Sequence, residues 1–209
     1  MTVVQRNPEA VWTEVSRLGN GLADAMVARL PVDRDFRPCQ SLRLTIERPA
    51  LNLRTDGPPD GETAKRLYRQ TMDEFIRVRG TAPLSEVKRL ADRICLLQDG
   101  RVVLQKPWLT DEDRRRGQVA ADLVSLRLND LVLMGFPGET FWQTPVKAGK
   151  AAQERRVRFV SFTLANGTIG YIPTEADRPL GDYEVVNCVL GDGAEAKLEA
   201  AAKAMVERE

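Results

Sequence analysis

The run "QVAADLVSLRLNDLVLMGF", from Gln118 to Phe136, limits the folds open to this chain more than any other stretch. It reads as strand, turn, strand: two apolar segments joined by Asn129-Asp130, residue types that suit a two-residue hairpin. The second segment, "LVLMGF", is continuously apolar, so it is expected in the middle of a sheet with both faces covered. "VRFVSFTLA" reads as another buried strand. The segment between them, "FWQTPVKAGKAAQERR", is a weak helix that Pro145 is expected to break or kink.

Helices flank this region. Asn7 suits an N-cap and Pro8 a first helical position, with Val11, Val15, Leu18, Leu22 and Met26 forming one apolar stripe and Pro31 stopping the helix. In "SLRLTIERPALNLR", Leu42, Leu44 and Ile46 alternate with Arg43, Thr45 and Glu47, the pattern of a half-buried strand that Pro49 interrupts. "TDGPPDGE" is the strongest loop signal and is read as a surface loop. A helix from about Glu62 to Arg79 turns Leu67, Thr71, Phe75 and Val78 inward. Pro83 opens another, with Leu84, Val87, Leu90, Ala91, Ile94 and Leu97 on one face and Gly100 at its end, so the two form a helical hairpin. "RVVLQKPWL" reads as a short strand and "TDEDRRRG" as a solvated charged turn. Asp192 is placed to cap a closing amphipathic helix through Leu198, Ala202 and Met205.

Together these imply an α/β (mixed α+β) layered domain, residues 1–209, with helices packed on a mixed sheet. The 209 residues suit one good-sized core or at most two small ones. A formal net charge of +1 gives no bulk attraction toward nucleic acid or an anionic membrane. No apolar run approaches the roughly 20 residues of a spanning helix. The N-terminus lacks a basic region followed by an apolar stretch, so a cytoplasmic location is expected. Cys39, Cys95 and Cys188 are odd in number and far apart, which argues against a zinc-thiolate site or a disulfide framework and for small buried hydrophobes. The chain contains no histidine, so it cannot by itself build a Ser-His-Asp or Cys-His nucleophile or a histidine-based zinc site. Carboxylate, lysine and tyrosine chemistry remain.

Two apolar strands run out into polar, glycine-containing turns. "LVLMGF" leads to Pro137, Gly138 and Glu139; "FVSFTLA" leads to Asn166, Gly167, Gly170 and Tyr171. Ligands of open α/β sheets bind beyond the carboxyl ends of strands, and the glycines permit turns tight enough to aim side chains there. Glu139 equally suits capping of the next helix, and Tyr171 and Tyr183 equally suit core rings with hydroxyls at the rim.

"GFPGETF", "LANGTIGYIPTEAD", "GDYEV" and "GDGAEAKLEAA", in this order and spacing, resemble the C-terminal part of the neutral/alkaline ceramidase-like catalytic domain over about Leu131 to Ala201. That family is one of zinc-dependent amidases that cleave the N-acyl bond of ceramide. The resemblance implies Glu139 and Tyr171 as metal ligands and Tyr183, twelve residues on, as the catalytic group contacting the amide and supporting the oxyanion. Thr168 stands where an aromatic residue is frequent. The family's two histidine ligands lie in the N-terminal half of its domain and have no counterpart here, so this chain is expected to be a C-terminal part, incomplete alone. Zinc is expected only if another chain supplies histidines, and otherwise no cofactor. The partners implied are an N-terminal-half polypeptide or a homo-oligomer, and a ceramide-like lipid or other N-acyl substrate. The alternatives are a metal-free, non-catalytic binding module derived from that fold, or an unrelated α/β protein.

Overall fold

The computed structural model describes residues 8–29 and 38–208. The chain divides into two units, Met1–Cys39 and Gln40–Glu209. The first unit contributes one helix, α1 (Pro8–Val27), whose apolar stripe of Val15, Leu18, Leu22 and Met26 is exposed. Asn7, Pro31 and the side chain of Val11 lie outside the described residues.

The second unit runs β1 (Leu42–Glu47), β2 (Ala50–Asn52), α2 (Gly61–Val78), α3 (Leu84–Leu97), α4 (Asp111–Arg116), β3 (Gln118–Ala120), β4 (Leu123–Leu128), β5 (Leu131–Gly135), β6 (Glu139–Thr140), α5 (Gln143–Glu154), β7 (Arg158–Phe162), β8 (Tyr171–Ile172), α6 (Tyr183–Val186) and α7 (Ala194–Arg208). Four strands form a mixed sheet in the order β1-β4-β5-β7. The β4-β5 hairpin turns at Asn129, which takes the positive φ of 54° that a tight turn requires. The chain then crosses through α5 to bring β7 parallel to β5. Helices α2 and α3 pack as the expected hairpin, capped at the start of α2 by Asp60, whose carboxylate accepts the Thr63 N–H.

The core lies between the sheet and helices α5 and α7. Leu123, Val132, Met134 and Phe136 from the strands meet Ala148, Ala152, Leu198, Ala202 and Met205 from the helices. Small residues let α5 sit close: a Cβ at Gly149 would stand 3.2 Å from the Phe159 ring. Inside this layer Thr144 donates a 2.6 Å hydrogen bond to the buried Glu195 carboxylate, joining α5 to α7.

On the opposite face of the sheet the second unit itself leaves apolar side chains of β1 and β7 exposed, while Ala165 stands against Gly135. Register sets Leu44, Leu126, Leu133 and Val160 in one row, and Ile46, Val124, Gly135 and Phe162 in the next. The third row is Leu42, Leu128, Leu131 and Arg158. The apolar side of β1 therefore points away from the core. Its polar side faces α7, where Arg208 pairs with Glu47 at 2.8 Å. For the same reason β5 is covered on one face instead of two, and β7 is a half-exposed edge strand.

Other expectations are also corrected. "RVVLQKPWL" is a pair of turns, closed by Gln105 N–H to Val102 O and Leu109 N–H to Lys106 O, with Val102 and Val103 buried in two different apolar clusters. "TDEDRRRG" is a short helix, closed by a reciprocal Thr110–Asp113 capping box and by Gly117 in the left-handed conformation. Pro145 falls in the first turn of α5, where its missing N–H has no helical partner to lose, so the helix runs unbroken. At α7 it is Glu175 that accepts the Gly193 N–H, while the Asp192 side chain stands in solvent. Of the cysteines only Cys188 is buried. Among the described residues no helix is long and apolar enough to cross a membrane.

Candidate functional site

The two polar turns fold onto each other. The turn after β5 and the segment leading into β8 are laced by backbone bonds: Ala165 N–H to Phe136 O, Ile169 N–H to Pro137 O at 2.7 Å, and Glu139 N–H to Gly170 O at 2.9 Å. Gly138 makes this possible, since a Cβ there would lie 2.5 Å from the Gly170 carbonyl oxygen. Gly170, with φ of 79°, turns the second segment back toward the first.

The result is a two-stranded parallel ladder, β6 with β8, in which Glu139 is the register partner of Tyr171. Partners in parallel strands project to the same side, so carboxylate and phenol are neighbours. Glu139 does not cap α5, which begins four residues later behind Trp142.

Tyr183 arrives separately, as the first residue of α6. Its ring meets that of Tyr171 edge to face, with centroids 5.8 Å apart and planes at 76°, the arrangement that aromatic quadrupoles favour. The short segment carrying it is fixed from below by Arg54, whose guanidinium bonds the carbonyls of Val185, Val186 and Cys188 while pairing with Asp56. Arg178 does the same for the carbonyls of Leu190 and Gly191. All three sequence-predicted site residues thus come together.

Burial and neighbouring negative charge act on Tyr171 in the same direction. Burial, then the Glu139 carboxylate, and then Tyr183 and Glu184, push the Tyr171 phenol above its ordinary pKa. Tyr171 is therefore held as a neutral hydroxyl.

Several neighbours carried no sequence signal. Tyr183 borders a cavity of about 460 Å³ that also touches Lys106, Arg101 and Asn187. Lys106 donates a 2.8 Å hydrogen bond to the Asn187 side-chain oxygen, and burial, aided by Arg101, lowers its pKa. Lys106 sits in a segment with no periodicity. Glu184 was adjacent to a predicted residue in "GDYEV" but matched no pattern of its own.

Glu139 and Tyr171 offer two oxygen donors of suitable type, whereas catalytic zinc takes three protein ligands and a water. Among the described residues no group of three or more His, Cys, Asp and Glu side chains could hold an ion.

No family model and no curated protein matches the chain. Among solved structures it is similar to a ceramidase complexed with C2 and to neutral ceramidase from Pseudomonas aeruginosa. Each is 22% identical with a TM-score of 0.38 over 43% of this chain, and the match spans 15% and 16% of those two chains, respectively.

Proposed function

We propose that Glu139, Tyr171 and Tyr183 form the oxygen-donor half of a zinc-dependent amide-hydrolysing site for a ceramide-like lipid or another N-acyl substrate, completed by imidazole ligands from another polypeptide. The observation that carries this reading is the convergence of the three side chains from two strand ends and a helix start. Zinc, when bound, supplies a water of lowered pKa and polarises the amide carbonyl. Glu139 contributes an anionic donor. Tyr171, neutral by itself, gives up its proton only when a cation offsets its burial and the charge of Glu139. Tyr183 is partly exposed, and its hydroxyl would donate to an amide oxygen as negative charge develops on it.

The test is to co-express the chain with a histidine-bearing polypeptide encoded beside it, then measure bound zinc and hydrolysis of a short-chain ceramide. Stoichiometric zinc is expected, lost in Glu139→Ala and Tyr171→Phe, with hydrolysis falling at least about 100-fold in Tyr183→Phe. A mixture with neither zinc nor hydrolysis overturns the reading.

The absence of histidine from the chain favours a second reading, a metal-free binding module in which the turns persist as architecture. Stoichiometric zinc in the isolated chain, removed by Glu139→Ala, overturns that one.

A further inference from the structure

Apart from the tyrosine cluster, the second unit holds a larger open cavity of about 1070 Å³, lined by residues of α2 and α3, of the 54–59 loop and of the segment around α6. Its size is at the top of the ~300–1,000 Å³ range of small-molecule sites. Part of the lining is apolar, with Leu67 from α2 and Leu96 and Leu97 from α3. The rest is strongly cationic: Arg54, Arg89, Arg93 and Arg178 stand against two carboxylates, Asp56 and Asp192.

Two of the four arginines are occupied by the fold. Arg54 pairs with Asp56 at 2.7 Å and bonds three carbonyls. Arg178 pairs with Glu175 at 3.2 Å and bonds two more. Asp192 stands in solvent, 3.9 Å from Arg178. Arg89 and Arg93 are different. They lie one turn apart on α3, a spacing at which like charges oppose each other, and neither has an ion pair or hydrogen bond among the described residues. The carboxylates that could have served them, Asp92 and Asp182, are both held by Lys88. Arg89 is half-buried, its Cδ packed 3.6 Å from where a Cβ of Gly181 would stand. The same face of α3 continues one turn on into Leu96, so two free guanidiniums lead directly to apolar lining.

Two uncompensated positive charges suit a dianion. A carboxylate offsets one of them; a phosphate monoester carries about −1.5 to −2 at pH 7, with three acceptor oxygens that match the guanidinium fork. The apolar lining suits an apolar body on that phosphate. We infer that this cavity binds a small organic phosphate monoester, its phosphate on Arg89 and Arg93 and its apolar body against Leu67 and Leu96. Such a site needs neither zinc nor Tyr183, so it and the amidase reading stand or fall separately.

Calorimetric titration of the full chain with naphthyl phosphate, naphthol and inorganic phosphate tests this. Naphthyl phosphate is expected to bind once per chain with a Kd below about 100 µM, and at least about 10-fold more tightly than either of the other two. Arg89→Gln with Arg93→Gln is expected to weaken it at least about 10-fold while far-UV dichroism stays that of the folded chain. If that pair unfolds the chain, the exposed Arg93→Gln alone is expected to weaken binding about 3-fold or more. No binding of naphthyl phosphate at about 1 mM overturns the inference, whether the cavity is closed or already holds one of the chain's own carboxylates. So does binding that the arginine substitutions leave unchanged. Equal affinity for naphthol, which would make the cavity a purely apolar site, or for inorganic phosphate, which would make it a site for the ion alone, overturns it as well.

Discussion

Tyr171 titrates as a member of a group. Its pKa is raised by burial and by the Glu139 carboxylate, so Glu139→Gln is expected to bring it down toward ordinary tyrosine, with a smaller fall from Tyr183→Phe. Ultraviolet difference titration against Tyr171→Phe isolates this phenol from the other two tyrosines. The linkage sign follows: a phenol whose folded pKa is raised contributes stability that is fully present below its unfolded value, near 10, and is lost as pH rises through the folded value. Tyr171→Phe should therefore flatten the alkaline limb of the stability curve and leave the neutral region unchanged in slope. At this scale the sequence was informative where a glycine sat beside a candidate site residue. Gly138 and Gly170 marked the two turns that meet: a Cβ at Gly138 would stand 2.5 Å from a carbonyl oxygen, and Gly170 takes a φ of 79°. It was silent on Lys106 and Asn187, which reach the same neighbourhood through tertiary folding alone.

The elements hold together through contacts that periodicity does not reveal. Thr144 and Glu195 are both buried, and their hydrogen bond is a buried polar link between α5 and α7, with Lys147 3.8 Å from the same carboxylate and paired with Glu199 at 2.6 Å. Thr144→Val keeps the shape and removes the donor, so a loss of about 1–3 kcal/mol is expected in urea unfolding, with an unchanged m-value. A loss below ~0.5 kcal/mol would show that Lys147 satisfies Glu195 unaided. Element identity was legible wherever one face had one partner, as in α2, α3, α7 and the β4-β5 hairpin. It was misread where apolar side chains are buried from turns instead of a ladder, as Val102 and Val103 are, and where a short helix drew its stability from caps instead of an apolar stripe, as α4 does.

For the molecule as a whole, the layered mixed sheet was legible and its sidedness was not. Alternation in β1 separated Leu42, Leu44 and Ile46 from Arg43, Thr45 and Glu47, but it could not say which set met the helices. That depends on α7 ending over β1 with Arg208 against Glu47. Apolar runs such as "LVLMGF" carry the same ambiguity, since they are equally suited to a buried strand and to one awaiting a second layer.

The position of β1 also bears on how the chain folds in time. β4, β5, α5 and β7 lie within one short stretch of chain, with only β6 between β5 and α5, and close on each other through one hairpin and one crossover, whereas β1 joins β4 across a long excursion; the nearby Arg48–Asp122 pair bridges 74 residues. Closing so long a loop costs entropy before any pairing rewards it. The β4–β7 core should form in the rate-limiting step and β1 should add afterwards. Stopped-flow kinetics of Thr45→Gly are then expected to show unfolding accelerated several-fold and folding slowed by less than about twofold. The strand that leads the sheet in sequence would be the last to arrive and the first to leave.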